Sequence, residues 1–176
     1  DVYLNNEYGI AGNSAKIHYS RIYENTGHGI SGVMHVSQSE IRANGNYGIS
    51  AEWNATIIEN IILDNGSYAI SGGSSIRYNT IENNNGNAIS CDTNADVVGN
   101  NILSNSGSAI SGGYLITDNL IDDNSELVSG NSPEVDFCMM SLCDAHVIAN
   151  SSFSWWAAAL GNVEAVIAPA QWFGPK

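Results

Sequence analysis

This sequence predicts an all-β solenoid, a parallel β-helix of about six to seven coils with 19–21 residues per coil, and three observations predict it. An isoleucine followed by a small residue returns as Ile10-Ala11, Ile30-Ser31, Ile49-Ser50, Ile70-Ser71, Ile89-Ser90 and Ile110-Ser111, at spacings of 20, 19, 21, 19 and 21. An asparagine stands five residues before each isoleucine: Asn5, Asn25, Asn44, Asn65, Asn84 and Asn105. Two further apolar rows keep the same beat, Ile17, Val36, Ile57, Ile76, Val97, Ile116 and Ile22, Ile41, Ile62, Ile81, Ile102, Ile121. Independent rows that share one period define a repeat protein.

The unit leaves no room for a helix. Its apolar runs are short, are bounded by Gly, Asn, Ser or Asp, and lack the i, i+3, i+4 spacing of a helical face, so they read as strands. A leucine-rich repeat has a similar period, but leucine dominates its signature, whereas isoleucine and asparagine carry this one. Two strand signals are explicit in each unit, one around the Ile-Ser row and one around the paired apolar rows; a third strand is inferred. Coils stack ~4.8 Å apart, the spacing of hydrogen-bonded strands. Ile30, Ile49, Ile70, Ile89 and Ile110 then form one interior column. Asn25, Asn44, Asn65, Asn84 and Asn105 form an amide ladder, each side chain donating to the next. A second such row runs Ser20, Ser39, Asn60, Asn79, Asn100, Asn119, and both rows are expected to be structural.

Along the chain, Val2 to Asn5 superimposes on Ile22 to Asn25, so the repeat begins halfway through a coil and already in register. An uncapped solenoid end offers unpaired strand backbone, so either more protein before Asp1 or another subunit is expected to cover it. The turn after the Ile-Ser row alternates between a short glycine-rich form, as at Ser71-Gly72-Gly73, and a longer form, as at 51–55 and 91–96. This alternation predicts a corrugated flank. The beat weakens after Asn124, although Val128-Ser129-Gly130 still echoes Ile-Ser-Gly. The expected organisation is coils over residues 1–127, degenerate terminal coils over 128–150, and an aromatic segment over 151–176. Two readings of that segment stand: a cap folded over the last coil, or an apolar patch in which Trp155, Trp156, Trp172 and Phe173 dock on another copy.

Eighteen acidic against five basic residues give a net charge of −13, which disfavours nucleic acid and anionic membrane surfaces. No run of 18 apolar residues is present, so no membrane span is expected. Cys91, Cys138 and Cys143 show neither metal spacing nor a redox dithiol motif; they read as buried thiols or as one disulfide with a remainder.

The pattern Asn-x-x-Gly-x-Gly-Ile-Ser followed by Ile-x-x-Asn-x-Ile resembles the right-handed parallel β-helix repeats of secreted and surface proteins, pectate-lyase-like enzymes among them, over roughly residues 1 to 125. The resemblance implies a right-handed helix. That fold hosts lyases, hydrolases, adhesins and spacers alike, so it implies no single activity. Thr26-Gly27-His28-Gly29 is similar to the Gly-His-Gly motif of polygalacturonases. However, Tyr47 and Tyr68 fill the slot of His28 in the next coils, and the family's partner motifs are absent. The parity of these three rings with Ile30, Ile49 and Ile70 turns them inward if the strand extends that far.

Other candidates are sparse. Glu82 with Asp122, two coils apart in one row, and Asp64 with Asp123, three coils apart in the next, are the carboxylate pairs to weigh for glycosidase chemistry; the solvated surface is the preferred reading. Asp92-x-Asn94-x-Asp96 has the alternating oxygens that Ca²⁺ uses in a loop, without the central glycine and terminal glutamate of an EF-hand; otherwise no cofactor is expected. His18, His35 and His146 share no metal-binding spacing. Among the sequons, Asn54 on a long turn is the preferred glycosylation acceptor, since Asn65 serves the ladder.

The regular ladders and the lack of a convergent acid, base or metal set lead to one expectation: a non-catalytic extracellular structural protein that self-associates into a filament, sheath or surface layer. The alternatives are a polysaccharide-active β-helix enzyme and a carbohydrate-binding or adhesin module, with polysaccharide as partner.

Overall fold

The computed structural model describes residues 1–129, together with the backbone of the strands Ala145–Val147 and Ala165–Ile167, which pair in parallel. The chain divides into two units, Asp1–Asn131 and Ser132–Lys176. The first is an all-β parallel solenoid of about six turns.

Each turn of the chain carries three apolar rows, because the apolar signal recurs three times per repeat, and each row lies on a strand. The Ile22 row forms a seven-stranded parallel sheet: Val2–Tyr3, Arg21–Tyr23, Glu40–Arg42, Ile61–Leu63, Thr80–Glu82, Asn101–Leu103 and Leu120–Asp122. Its register places Val2 beside Ile22, Ile22 beside Ile41, and Ile81 beside Ile102. The in-register start read from the sequence is therefore real.

The other two rows share a ten-stranded sheet. In the first three turns they lie on single long strands, Ile10–His18, Ile30–Ser37 and Ile49–Ile58. From Ile70 onward each splits into an Ile-Ser strand, such as Ile89–Ser90, and a second strand, such as Asp96–Val98. Ile30 pairs with Ile49 and Ile110 with Val128, so the Ile-Ser column runs unbroken to Glu126–Ser129. The strand inferred as a third was thus already written in the sequence. The paired apolar rows are two strands on either side of a corner, not one.

Isoleucine fills the interior. Ile22, Ile30, Ile41, Ile49, Ile57, Ile62, Ile70, Ile76, Ile81, Ile89, Ile102 and Ile110 are fully buried, and burying one such side chain stabilises by about 1.5–3 kcal/mol. Its β-branched shape suits a strand because few rotamers are lost there.

The two corners that flank the Ile22 strand are made alike. A residue with left-handed backbone precedes each ladder position: Leu4, Glu24, Ala43, Asp64, Asn83, Ser104 and Asp123 at one corner, Tyr19, Gln38, Glu59, Tyr78, Gly99 and Asp118 at the other. For a residue with a Cβ that conformation costs about 1–2 kcal/mol. It is offset by the buried amide that follows. Asn65 shows the pattern: its Nδ2 donates to Asn84 Oδ1 at 2.9 Å and to the carbonyl of Ile41 at 3.2 Å. Its Oδ1 accepts from the backbone and side-chain nitrogens of Asn44 at 3.2 and 3.0 Å. The same contacts link Asn25 to Asn44 at 2.8 Å and Asn84 to Asn105 at 2.9 Å. In the second ladder they link Asn60 to Asn79 at 3.0 Å and Asn100 to Asn119 at 2.9 Å.

The third corner has no ladder and varies in length, which produces the expected corrugation. The short form turns on glycines with positive φ. At Gly72 (φ 91°) a side chain would strike the carbonyl oxygen of Ala51 in the coil before. The long forms leave Trp53, Asn54 and Asp92 to Asn94 exposed.

Candidate functional site

The stacked rings come first. Tyr8, His28, Tyr47 and Tyr68 form a column with centroids 5.2, 4.6 and 5.2 Å apart and planes within 20° of parallel. His28, Tyr47 and Tyr68 are half-buried and Tyr8 is exposed; none is interior. The strand begins at Ile30, and the preceding small residue, Gly29, Gly48 or Ala69, is itself buried, so the inward direction read from parity fails at this bend. The inner rings, His28 and Tyr47, have a stacked ring on both faces. His28 Nδ1 accepts the backbone N–H of Tyr47 at 3.2 Å, and burial holds its pKa below the ordinary value.

The paired acids are kept apart. Leu103 stands in register between Glu82 and Asp122, and Asp123 accepts a hydrogen bond from Ser104 Oγ at 3.3 Å. In the Asp92 turn, Asp92 Oδ1 accepts the backbone and side-chain nitrogens of Asn94 at 3.0 and 3.1 Å. Asp96 is on the strand beyond it and binds Arg77 Nη2 at 2.7 Å across the sheet. The turn is closed by hydrogen bonds, and the third oxygen is directed to a neighbouring coil. No group of three or more His, Cys, Asp or Glu side chains gathers at one point among the described residues.

His18 and His35 have ring centroids 4.9 Å apart, with His18 Nδ1 at 2.7 Å from Ser37 Oγ. Burial, then the charges of His18 and Lys16, lowers the pKa of His35. Cys91 is a free thiol, its pKa pushed up to about 12 by burial and then by Asp92. Asn54 is exposed, on the strand Ile49–Ile58 and not in a separate loop, while Asn65 is 1% exposed and committed to its ladder. Trp155, Trp156, Trp172, Phe173, His146, Asn150, Cys138 and Cys143 lie outside the described residues or within strands of which only the backbone is described.

What the fold defines is a parallel β-solenoid with a continuous hydrogen-bonded asparagine ladder. It does not by itself define an activity. Residues 117–173 match the model of glycosyl transferase family 11. Over 50 residues the chain is 50% identical to an alpha-1,2-colitosyltransferase of Escherichia coli, covering 27% of this chain and 17% of that protein. Over 41 residues it is 44% identical to the O-antigen biosynthesis glycosyltransferase WbnK of Escherichia coli, covering 22% and 14%. The chain thus spans a small fraction of the length of the curated relatives it matches. No solved structure matches.

These similarities overturn the expectation of a non-catalytic extracellular structural protein built for self-assembly: the segment read as its cap or contact falls in the matched region. Sequence reasoning missed this because the period weakens after Asn124 and the rest of the matched stretch shows no acid, base or metal spacing of its own. The aromatic residues in this stretch, Phe153, Trp155 and Trp156, fit a cap or a contact equally well. The match also begins inside the solenoid. Asn119 and Asn124 lie in matched sequence, yet accept the ladder bonds of Asn100 and Asn105 at 2.9 Å.

Proposed function

We propose that this protein takes part in glycosyl transfer, moving a sugar from an activated donor to a hydroxyl of a glycan acceptor. In that reaction the acceptor oxygen forms a bond to the anomeric carbon, the bond to the donor's leaving group breaks, and the hydroxyl proton passes to a base. The observation that carries the reading is the family match over residues 117–173, with half the residues identical to the colitosyltransferase over 50 positions. In this reading the matched segment, residues 117–173, bears on the transfer.

The test is acceptor-dependent release of nucleotide from a panel of nucleotide-activated sugars. Replacing Trp155 and Trp156 together by Ala should lower turnover by about tenfold or more, as expected where aromatic contacts form a binding site. Failure of every donor to give release above the no-acceptor control would sink the reading.

A further inference from the structure

A depression of about 400 Å³ lies on the corner of the first three coils, and the transfer reading leaves it unused. Tyr19, Gln38 and Glu59 stand in one column along it, each at the left-handed corner position of successive coils. Arg21, Glu40 and Ile61 line its other side. Tyr19 is 80% and Ile61 47% exposed, so both keep apolar surface in water with no packing reason for it.

The charges here are largely balanced locally. Arg21 Nε pairs with Asp1 at 3.0 Å and Arg42 Nε with Glu40 at 2.9 Å. Among the described residues, no hydrogen bond or ion pair engages the side chains of Gln38 and Glu59 or the hydroxyl of Tyr19. Such a site offers an aromatic face, an amide with two donors and one acceptor oxygen, and a carboxylate able to accept from two neighbouring hydroxyls. It is a shallow groove open to solvent, of the kind that holds a sugar by one face.

A second observation marks the same place. Beneath the depression the ladder abandons asparagine: the rungs are Ser20 and Ser39, where later coils have Asn60, Asn79, Asn100 and Asn119. Ser39 Oγ donates to the carbonyl of Ser37 at 2.8 Å and so does not extend the amide chain. A break in an otherwise strict local rule is where function is expected.

We infer that this depression binds an uncharged, hydroxyl-rich sugar of a glycan, stacked on Tyr19 and hydrogen-bonded by Gln38 and Glu59. Anionic sugars are repelled by Glu59, which has no ion-pair partner among the described residues, and by the net charge of −13. The inference rests on the glycosyltransferase reading only for the role of that glycan as acceptor.

Saturation-transfer NMR and calorimetry on the whole chain test it, with neutral hexasaccharides of galactose, glucose and mannose as probes and oligogalacturonate as the anionic control. At least one neutral probe should bind. Tyr19→Ala should weaken it about tenfold, a typical loss for one aromatic contact, with an unchanged circular-dichroism spectrum. Tyr78→Ala, an exposed tyrosine at the same corner outside the depression, should bind as the parent does. Three outcomes overturn the site: no binding of any neutral probe, preference for oligogalacturonate, or parental affinity in Tyr19→Ala. Binding that persists when no donor supports transfer removes the glycosyltransferase reading alone; transfer without binding here removes this site alone.

Discussion

The two ladder corners share one backbone and differ in what holds it. At the first corner every described rung is asparagine, from Asn5 to Asn124. At the second the first two rungs are serine and the rest asparagine. The left-handed residue before the rung is present at both corners, whichever rung follows. The bend is therefore a property of the backbone path, and the amide is what makes it cheap to hold. Where serine replaces asparagine the corner survives with fewer bonds, and there the surface becomes concave.

The most damaging way to break this comparison is Asn65→Ala. It strands buried donors and acceptors in both neighbouring coils, each costing about 1–3 kcal/mol. Urea unfolding should show a loss of about 3 kcal/mol or more. A loss under about 1 kcal/mol would mean the ladder is ornamental.

The converse substitution, Ser39→Asn, completes the rung between Ser20 and Asn60. It should raise stability by about 1 kcal/mol, the net value of a typical hydrogen bond, in the same measurement. A destabilised variant would show that the serine rungs are sterically required.

The smallest effect concerns pH. Burial lowers the pKa of His28, so the unfolded chain takes up its proton at higher pH than the folded one. The stability that neutral His28 contributes is complete above its ordinary value of 6.5 and is lost as pH falls below that toward the folded pKa. Protonation also removes the Nδ1 acceptor used by Tyr47. His28→Tyr keeps the ring stack and should flatten part of the decline in melting temperature between neutral and mildly acidic pH. The remainder is expected from His35, whose pKa is lowered in the same sense. An unchanged pH profile would show that His28 does not titrate with folding.

The fold was legible because it obeys a period. Ile30, Ile49 and Ile70 recur at a coil's length, and any reader of that spacing stacks them. The rings were misjudged because parity assumes a strand, and the chain bends at Gly29, Gly48 and Ala69. The depression at the second corner was invisible in sequence: Tyr19, Gln38 and Glu59 share no residue type, and only the coil brings them side by side. The family match of residues 117–173 could not be read from spacing, because beyond Asn124 the repeat weakens and nothing periodic replaces it.

Sequence alone determined the coil, its rungs and its interior, because a side chain repeated at the length of one turn must meet its own kind across a ~4.8 Å strand spacing. Only the tertiary structure decided that the paired apolar rows are separate strands, that the stacked rings face outward, and which polar groups are left unengaged. Those outcomes depend on where the backbone turns left-handed and on which partners the neighbouring coils supply, and neither is written in any single repeat.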